Sequence, residues 1–219
     1  MSDKESPKEN KADEWRGKAF ISLSKGDFHK GIEYYSKAIQ LDPRDFEAYY
    51  NRALAYDNIE EHDRAIKDLN RALELDPGNV DIYWHRGHAY DNMGEYTSAI
   101  QDFTRVIEED PSHEDVFFYR GEVYYAMEEI EQAIEDYNHS IELDDSNLKA
   151  YISRGIALAD LGQLDKASQD FTSVIELDPK NSEAYYLRCL AHKVMKKDDL
   201  AEKDYHKAIE LGYDVNDKL

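Results

Sequence analysis

Cysteine is nearly missing from this 219-residue chain. Cys189 stands alone, so no internal disulfide forms and no cysteine-based zinc cluster assembles. Proline is sparse at five and glycine at ten, and neither a phosphate-binding glycine loop nor a nucleophile elbow occurs. No stretch approaches the ~20 apolar residues that cross a bilayer. The opening "MSDKESPKENK" is too polar for a secretory leader. Basic residues are the other shortage: Lys and Arg number 27 against 48 Asp and Glu, a formal charge of −21. Such a field repels phosphate backbones and anionic lipid, so no nucleic acid and no membrane insertion are expected, and basic partners are favoured. A reducing cytoplasm is the expected setting. No cofactor is expected, and the chain is not expected to be an enzyme.

What the chain has is apolar material for a core, 41% of its residues, including 17 tyrosines. It also has a period. "QLDPRD" at 40–45, "ELDPGN" at 74–79, "EEDPSH" at 108–113, "ELDDSN" at 142–147 and "ELDPKN" at 176–181 recur every 34 residues without insertion or deletion. The register gives six units: 12–45, 46–79, 80–113, 114–147, 148–181 and 182–215. A flexible charged tail at 1–11 and a short tail at 216–219 are left over.

Aligned positions read as a packing code. Position 4 is aromatic throughout: Trp15, Tyr49, Tyr83, Phe117, Tyr151 and Tyr185. Position 8 is small: Ala19, Ala53, Gly87, Gly121, Gly155 and Cys189, which makes the lone cysteine a small buried hydrophobe. Position 24 is large: Tyr35, Leu69, Phe103, Tyr137, Phe171 and Tyr205. Two helices per unit can then approach at the small residues, with the large ones filling the space around the contact. Asp45, Asn79, Asn147 and Asn181 sit where N-caps belong, and Gly26, Gly94 and Gly162 where the helices turn. Arg52, Arg86, Arg120, Arg154 and Arg188 at position 7 accompany Asp68, Asp102, Asp136, Asp170 and Asp204 at position 23. The first unit lacks both. That shared absence predicts Arg–Asp pairs inside each repeat, worth ~0–1 kcal/mol if exposed. The alternative is a basic ligand-binding stripe.

These features resemble the tetratricopeptide repeat family over most of the chain. The resemblance implies an all-α fold: a right-handed α-solenoid, or superhelix, of stacked helix–turn–helix units with a concave groove. It further implies an adaptor or scaffold that holds a peptide segment of a partner protein. Asp145 stands where the family has proline, so a looser fourth junction is expected.

At 100° per residue, positions 2, 5, 6, 9 and 12 of the first helix fall opposite the packing face. In the family this side lines the groove. The peptide-binding residues expected are Tyr50, Asn51, Leu54, Trp84, His85, His88, Asp91, Phe118, Tyr119, Glu122 and Ile152. Trp84, Phe118 and Tyr119 are the expected anchors, the partner is expected to be basic and apolar, and the chain a monomer. Ser168, Glu202 and Asp198 replace apolar residues near the end, as in a capped array, although Tyr205 and Ile209 leave an apolar edge.

Two alternatives carry other chemistry. His85, His88 and Asp91, three apart on one helix, could ligate a metal in a binder or enzyme. A clamp for chaperone C-terminal tails would use the slots held here by Arg16, Phe20, Asn51, Asp81 and His85. Only Arg16 and Asn51 suit a carboxylate.

Overall fold

Each expected turn in the chain ends one helix and starts another. The computed structural model describes residues 7–113 and 115–214. The described residues form twelve helices: α1 (Pro7–Ser24), α2 (Phe28–Leu41), α3 (Phe46–Asp57), α4 (His62–Leu75), α5 (Val80–Asn92), α6 (Tyr96–Glu109), α7 (Val116–Ala126), α8 (Ile130–Leu143), α9 (Leu148–Asp160), α10 (Leu164–Leu177), α11 (Ser182–Val194) and α12 (Asp198–Glu210). No strand occurs among the described residues, so the all-α reading holds. α1 begins at Pro7, so the expected tail at 1–11 is helical from there, while the expected tail at 216–219 lies outside the described residues.

The chain divides into two compact units, Met1–Pro111 with α1–α6 and Ser112–Leu219 with α7–α12. In the first, α1 packs on α2, α3 on α4 and α5 on α6, and α2 meets α3 as α4 meets α5. The second repeats this with α7 on α8, α9 on α10 and α11 on α12, while α8 meets α9 and α10 meets α11. First helices also touch one another, α3 with α5, α7 with α9 and α9 with α11.

The small-against-large code is steric. A Cβ built on Gly87 would stand 2.7 Å from the Phe103 ring, one on Gly121 2.8 Å from Tyr137, and one on Gly155 2.6 Å from Phe171. Position 8 is small because the position-24 ring of the same repeat lies directly over it. Phe103, Tyr137 and Phe171 are buried as a result. Truncating such a ring typically costs about 3–5 kcal/mol.

Caps and turns depart from expectation in places. Asp45, Asn147 and Asn181 accept from the backbone N–H of Ala48, Ala150 and Ala184 at 3.0, 3.1 and 2.9 Å. Asn79 makes no such cap; its amide donates to Asp76 at 3.1 Å instead. Gly26, Gly94 and Gly162 have φ of +77°, +73° and +72°, yet Glu60, Glu128 and Lys196 hold the same left-handed conformation at +61°, +62° and +59°. The fourth junction is not loose. Asp144 accepts from the Ser146 N–H at 3.0 Å and from its hydroxyl at 2.6 Å, the turn that Asp42 and Asp178 make with Arg44 and Lys180. The side-chain-stabilised turn of the proline-containing junctions is thus kept where Asp145 replaces proline.

The arginines form a ladder and not a ligand stripe. In all five repeats Nε and Nη2 hold one aspartate in a two-pronged grip at 2.6–2.9 Å. The third arm ties back to the preceding repeat. Nη1 of Arg52, Arg86, Arg154 and Arg188 donates to Ser36, Asn70, Asn138 and Thr172 at 2.9, 2.6, 2.7 and 3.0 Å. Aromatic rings flank the guanidinium: Tyr83 and Tyr90 lie 5.6 and 5.8 Å from Arg86, Phe117 and Tyr124 5.8 and 5.7 Å from Arg120. The five aspartates are buried, so the energy scale of an exposed pair does not apply. Burial pulls the Arg86 pKa down, but the bonds to Asp102 outweigh it and the guanidinium is held more firmly protonated than usual. Removing one partner of such a pair strands a buried charge, at about 3–5 kcal/mol.

Candidate functional site

In the first unit the groove positions of α3 and α5 close on themselves. Tyr50 is half-buried against the core, and its ring meets His85 edge-on with centroids 5.6 Å apart. Burial, aided by Asp81, pushes the Tyr50 phenol up to about 12. Trp84 packs edge-on against His88 at 4.3 Å and leans on Phe103 at 5.6 Å; His88 meets Phe103 at 5.2 Å. Asn51 donates to the Glu47 carbonyl of its own helix at 2.8 Å. Leu54 and Asp91 are half-buried.

This packing does not gather the three metal candidates. His85 turns to Tyr50, whereas His88 sits against Trp84 and Phe103. Among the described residues no three His, Cys, Asp or Glu side chains gather as ligands would. The carboxylate-tail clamp fares no better. Arg16 is bonded to Asp13, to Glu47 at 2.6 Å and to Asp45 at 3.3 Å, so acidic side chains of the chain itself already surround it.

The second unit is different. Phe118, an expected anchor, is only 7% exposed and belongs to the core with Tyr137 and Ala133. It is not a surface anchor: its ring leans on Tyr137 at 6.1 Å, as Trp84 leans on Phe103. Tyr119 and Ile152 are half-buried. Glu122 accepts a hydrogen bond from the Tyr137 hydroxyl at 2.6 Å. A cavity of about 120 Å³ opens here, lined by Glu122, Tyr125, Tyr137, Ser153 and Ile156. Beside it, α9, α10 and α11 enclose a larger groove of about 280 Å³, lined chiefly by Ile156, Ala159, Leu164, Phe171, Leu187, Leu190, Ala191 and Val194, with Asp160 among them. Leu190 and Val194 are 42% and 67% exposed.

The apolar groove was outside the expected site, which centred on the third and fourth repeats. A signal for it exists. Leu187 and Leu190 occupy the groove-facing positions 6 and 9, and Val194 falls at position 13, where Ser24, Asn58, Asn92 and Asp160 are polar in other repeats.

The tetratricopeptide repeat family matches residues 46–79 and 148–181, a second tetratricopeptide repeat description matches 80–113, and a TPR repeat description matches 21–58 and 121–162. The chain is a tetratricopeptide repeat protein. Among solved structures it is similar to MamA, with 27% identity over 78% of this chain and 94% of that one and a TM-score of 0.74. It is also similar to YrrB, described as a TPR protein with an unusual peptide-binding site, at 27% identity over 83% and 94% with a TM-score of 0.71. A TPR repeat protein from Cytophaga hutchinsonii shares the fold at 22% identity, covering 90% and 78% with a TM-score of 0.82. No curated protein matches in sequence. Repeats and neighbours support a protein-interaction scaffold, a fold that is typically non-enzymatic. No described helix is long and apolar enough to cross a membrane.

Proposed function

We propose that this chain, six repeats over 12–215, is an adaptor that holds a basic and apolar segment of a partner protein on the first-helix face of its second unit. The observation that carries this reading is the apolar groove beside Asp160, open at Leu190 and Val194, on a chain of formal charge −21. Large apolar side chains of the segment desolvate the groove, and its positive charge meets the acidic field. The likeness to YrrB, whose description names a peptide-binding site, points the same way.

The test is selection of a random dodecapeptide phage library on the wild-type protein and on the Leu190→Ala/Val194→Ala double variant. Alanine keeps α11 helical, and both side chains are exposed, so the fold should survive. Wild type is expected to enrich sequences combining Lys or Arg with large apolar residues, and the double variant to enrich none. Binding should weaken as salt is raised. Equal enrichment on both proteins would refute the assignment.

A further inference from the structure

Position 9 of the fourth repeat carries a carboxylate where its counterparts do not. Its counterparts there are Leu54, His88 and Ile156 in the second, third and fifth repeats, with Leu69, Phe103 and Phe171 at position 24. In the fourth repeat the pair is Glu122 and Tyr137. A half-buried carboxylate costs desolvation energy that leucine would not. Rule-breaking of this kind tends to mark function.

The hydrogen-bond inventory says what the slot lacks. Tyr137, wholly buried, spends its proton on Glu122 at 2.6 Å. Tyr125 spends its own on Asp160, also at 2.6 Å. The bond to Asp160, with burial, raises the Tyr125 phenol to about 12, and burial also raises the Tyr137 phenol. Both phenols therefore stay protonated, and both protons are committed. The Tyr137 oxygen already meets the Ser153 hydroxyl, the Tyr125 oxygen has only lone pairs left to offer, and the Glu122 carboxylate can accept further bonds. The 120 Å³ cavity they line with Ser153 and Ile156 is rich in acceptors, poor in donors, and negative. An anion or a carbonyl would find little to bond. A compact cation with three donors would be matched: an ammonium. A guanidinium fits less well, because its planar fork seeks both oxygens of a carboxylate and Tyr137 already engages Glu122.

We infer that the small cavity between α7, α8 and α9 receives the ammonium of a lysine side chain, with Glu122 as its counter-charge. The inference rests on the groove reading above, since Ile156 lines both the cavity and the apolar groove. A segment lying in the groove thus brings a neighbouring side chain to Glu122, and lysine flanked by large apolar residues is the sequence it selects.

Peptides enriched by the library supply the probe. Each lysine is replaced in turn by norleucine, which keeps the chain and removes the ammonium, and affinity is read by fluorescence anisotropy. Glu122→Gln is the matched protein variant: its carbonyl still accepts from Tyr137, so the fold is kept while the charge is lost. At one lysine, norleucine should weaken wild-type binding by roughly tenfold and Glu122→Gln binding by about twofold or less. Arginine at that place should lose nearly as much as norleucine. Ser153→Leu, which fills the cavity, should abolish the lysine preference while leaving affinity for the norleucine peptide intact. Peptides that need Leu190 and Val194 but contain no sensitive lysine, or a loss equal in wild type and Glu122→Gln, would overturn the pocket and leave the groove standing. No enrichment on wild type would overturn both.

Discussion

The two compact units carry the same ladder and the same small-against-large code, yet their first-helix faces differ. Between α3 and α5 of the first unit, rings at groove positions fill each other's space, Tyr50 against His85 and Trp84 against His88 and Phe103, whereas α1 and α3 leave a cavity of about 320 Å³ lined by Arg16, Gly17, Phe20, Tyr35 and Asn51 beside Asp13 and Glu47. In the second, the same kinds of position leave two cavities, one polar and one apolar. The contrast separates two jobs within one 34-residue period. Positions 4, 7, 8, 23 and 24 build the stack. Positions 5, 6 and 9 decide whether the face is closed or open, and side-chain size there sets the outcome.

If that division is right, breaking the stack should hurt both units alike. Asp102→Ala in the first and Asp170→Ala in the second each leave a half-buried arginine without its charge partner. Each should cost about 3–5 kcal/mol in urea denaturation. A loss near zero in one unit alone would mean that its ladder is not part of the common frame. A smaller effect should distinguish the faces. Gly155→Ala places a methyl 2.6 Å from the Phe171 ring, which lines the apolar groove. Overpacking of this kind typically costs about 1–3 kcal/mol, and the displaced ring should also weaken peptide binding. Gly87→Ala presses on Phe103 at 2.7 Å beneath the filled α3–α5 face and should lower stability without changing peptide affinity. Equal binding losses would show that the variants act through stability and not through the groove.

The period made most of the stack readable. Small residues at position 8 and large ones at 24 encode a contact that recurs, and a shared absence of Arg and Asp in the first repeat placed each pair within one repeat. What stayed hidden is what the period averages away. Phe118 sits at a groove position by angle, but the large ring of Tyr137 reaches under it and draws it into the core. The third arms of Arg52, Arg86, Arg154 and Arg188 bond residues as different as Ser36, Asn70 and Thr172, which share only a short polar side chain. The open groove arises from three apolar residues of one repeat, a local departure that a consensus hides. Turns hide too: Glu60 and Glu128 hold the left-handed conformation although nothing but glycine would announce it. That conformation strains an L-residue by about 1–2 kcal/mol, part of which glycine returns as chain entropy. Glu60→Gly and Glu128→Gly should therefore each stabilise by about 0.5–1 kcal/mol, one in each unit, as read from urea midpoints.

The smallest expected effect concerns protonation of the closed face. His85 is largely buried beside Tyr50, and burial lowers its pKa below the usual histidine value, with Asp81 and Asp57 pulling it partly back. The folded chain thus holds His85 neutral at a pH where the unfolded chain, titrating near ~6.5, has taken a proton. Below that pH the unfolded state binds more protons, so stability present above ~6.5 is lost as pH falls toward the folded value. His85→Gln removes the titration and should flatten the stability profile between pH 7.5 and 5.5, compared with wild type under the same urea series. Carboxylates common to both proteins cancel in that difference. Hydrogen exchange should locate the loss in α5, while α9 and α11 of the open unit keep the same protection at both pH values. Parallel stability profiles for wild type and His85→Gln would mean that the imidazole is not sealed in by Tyr50, and the α3–α5 face would then be as open as that of the second unit.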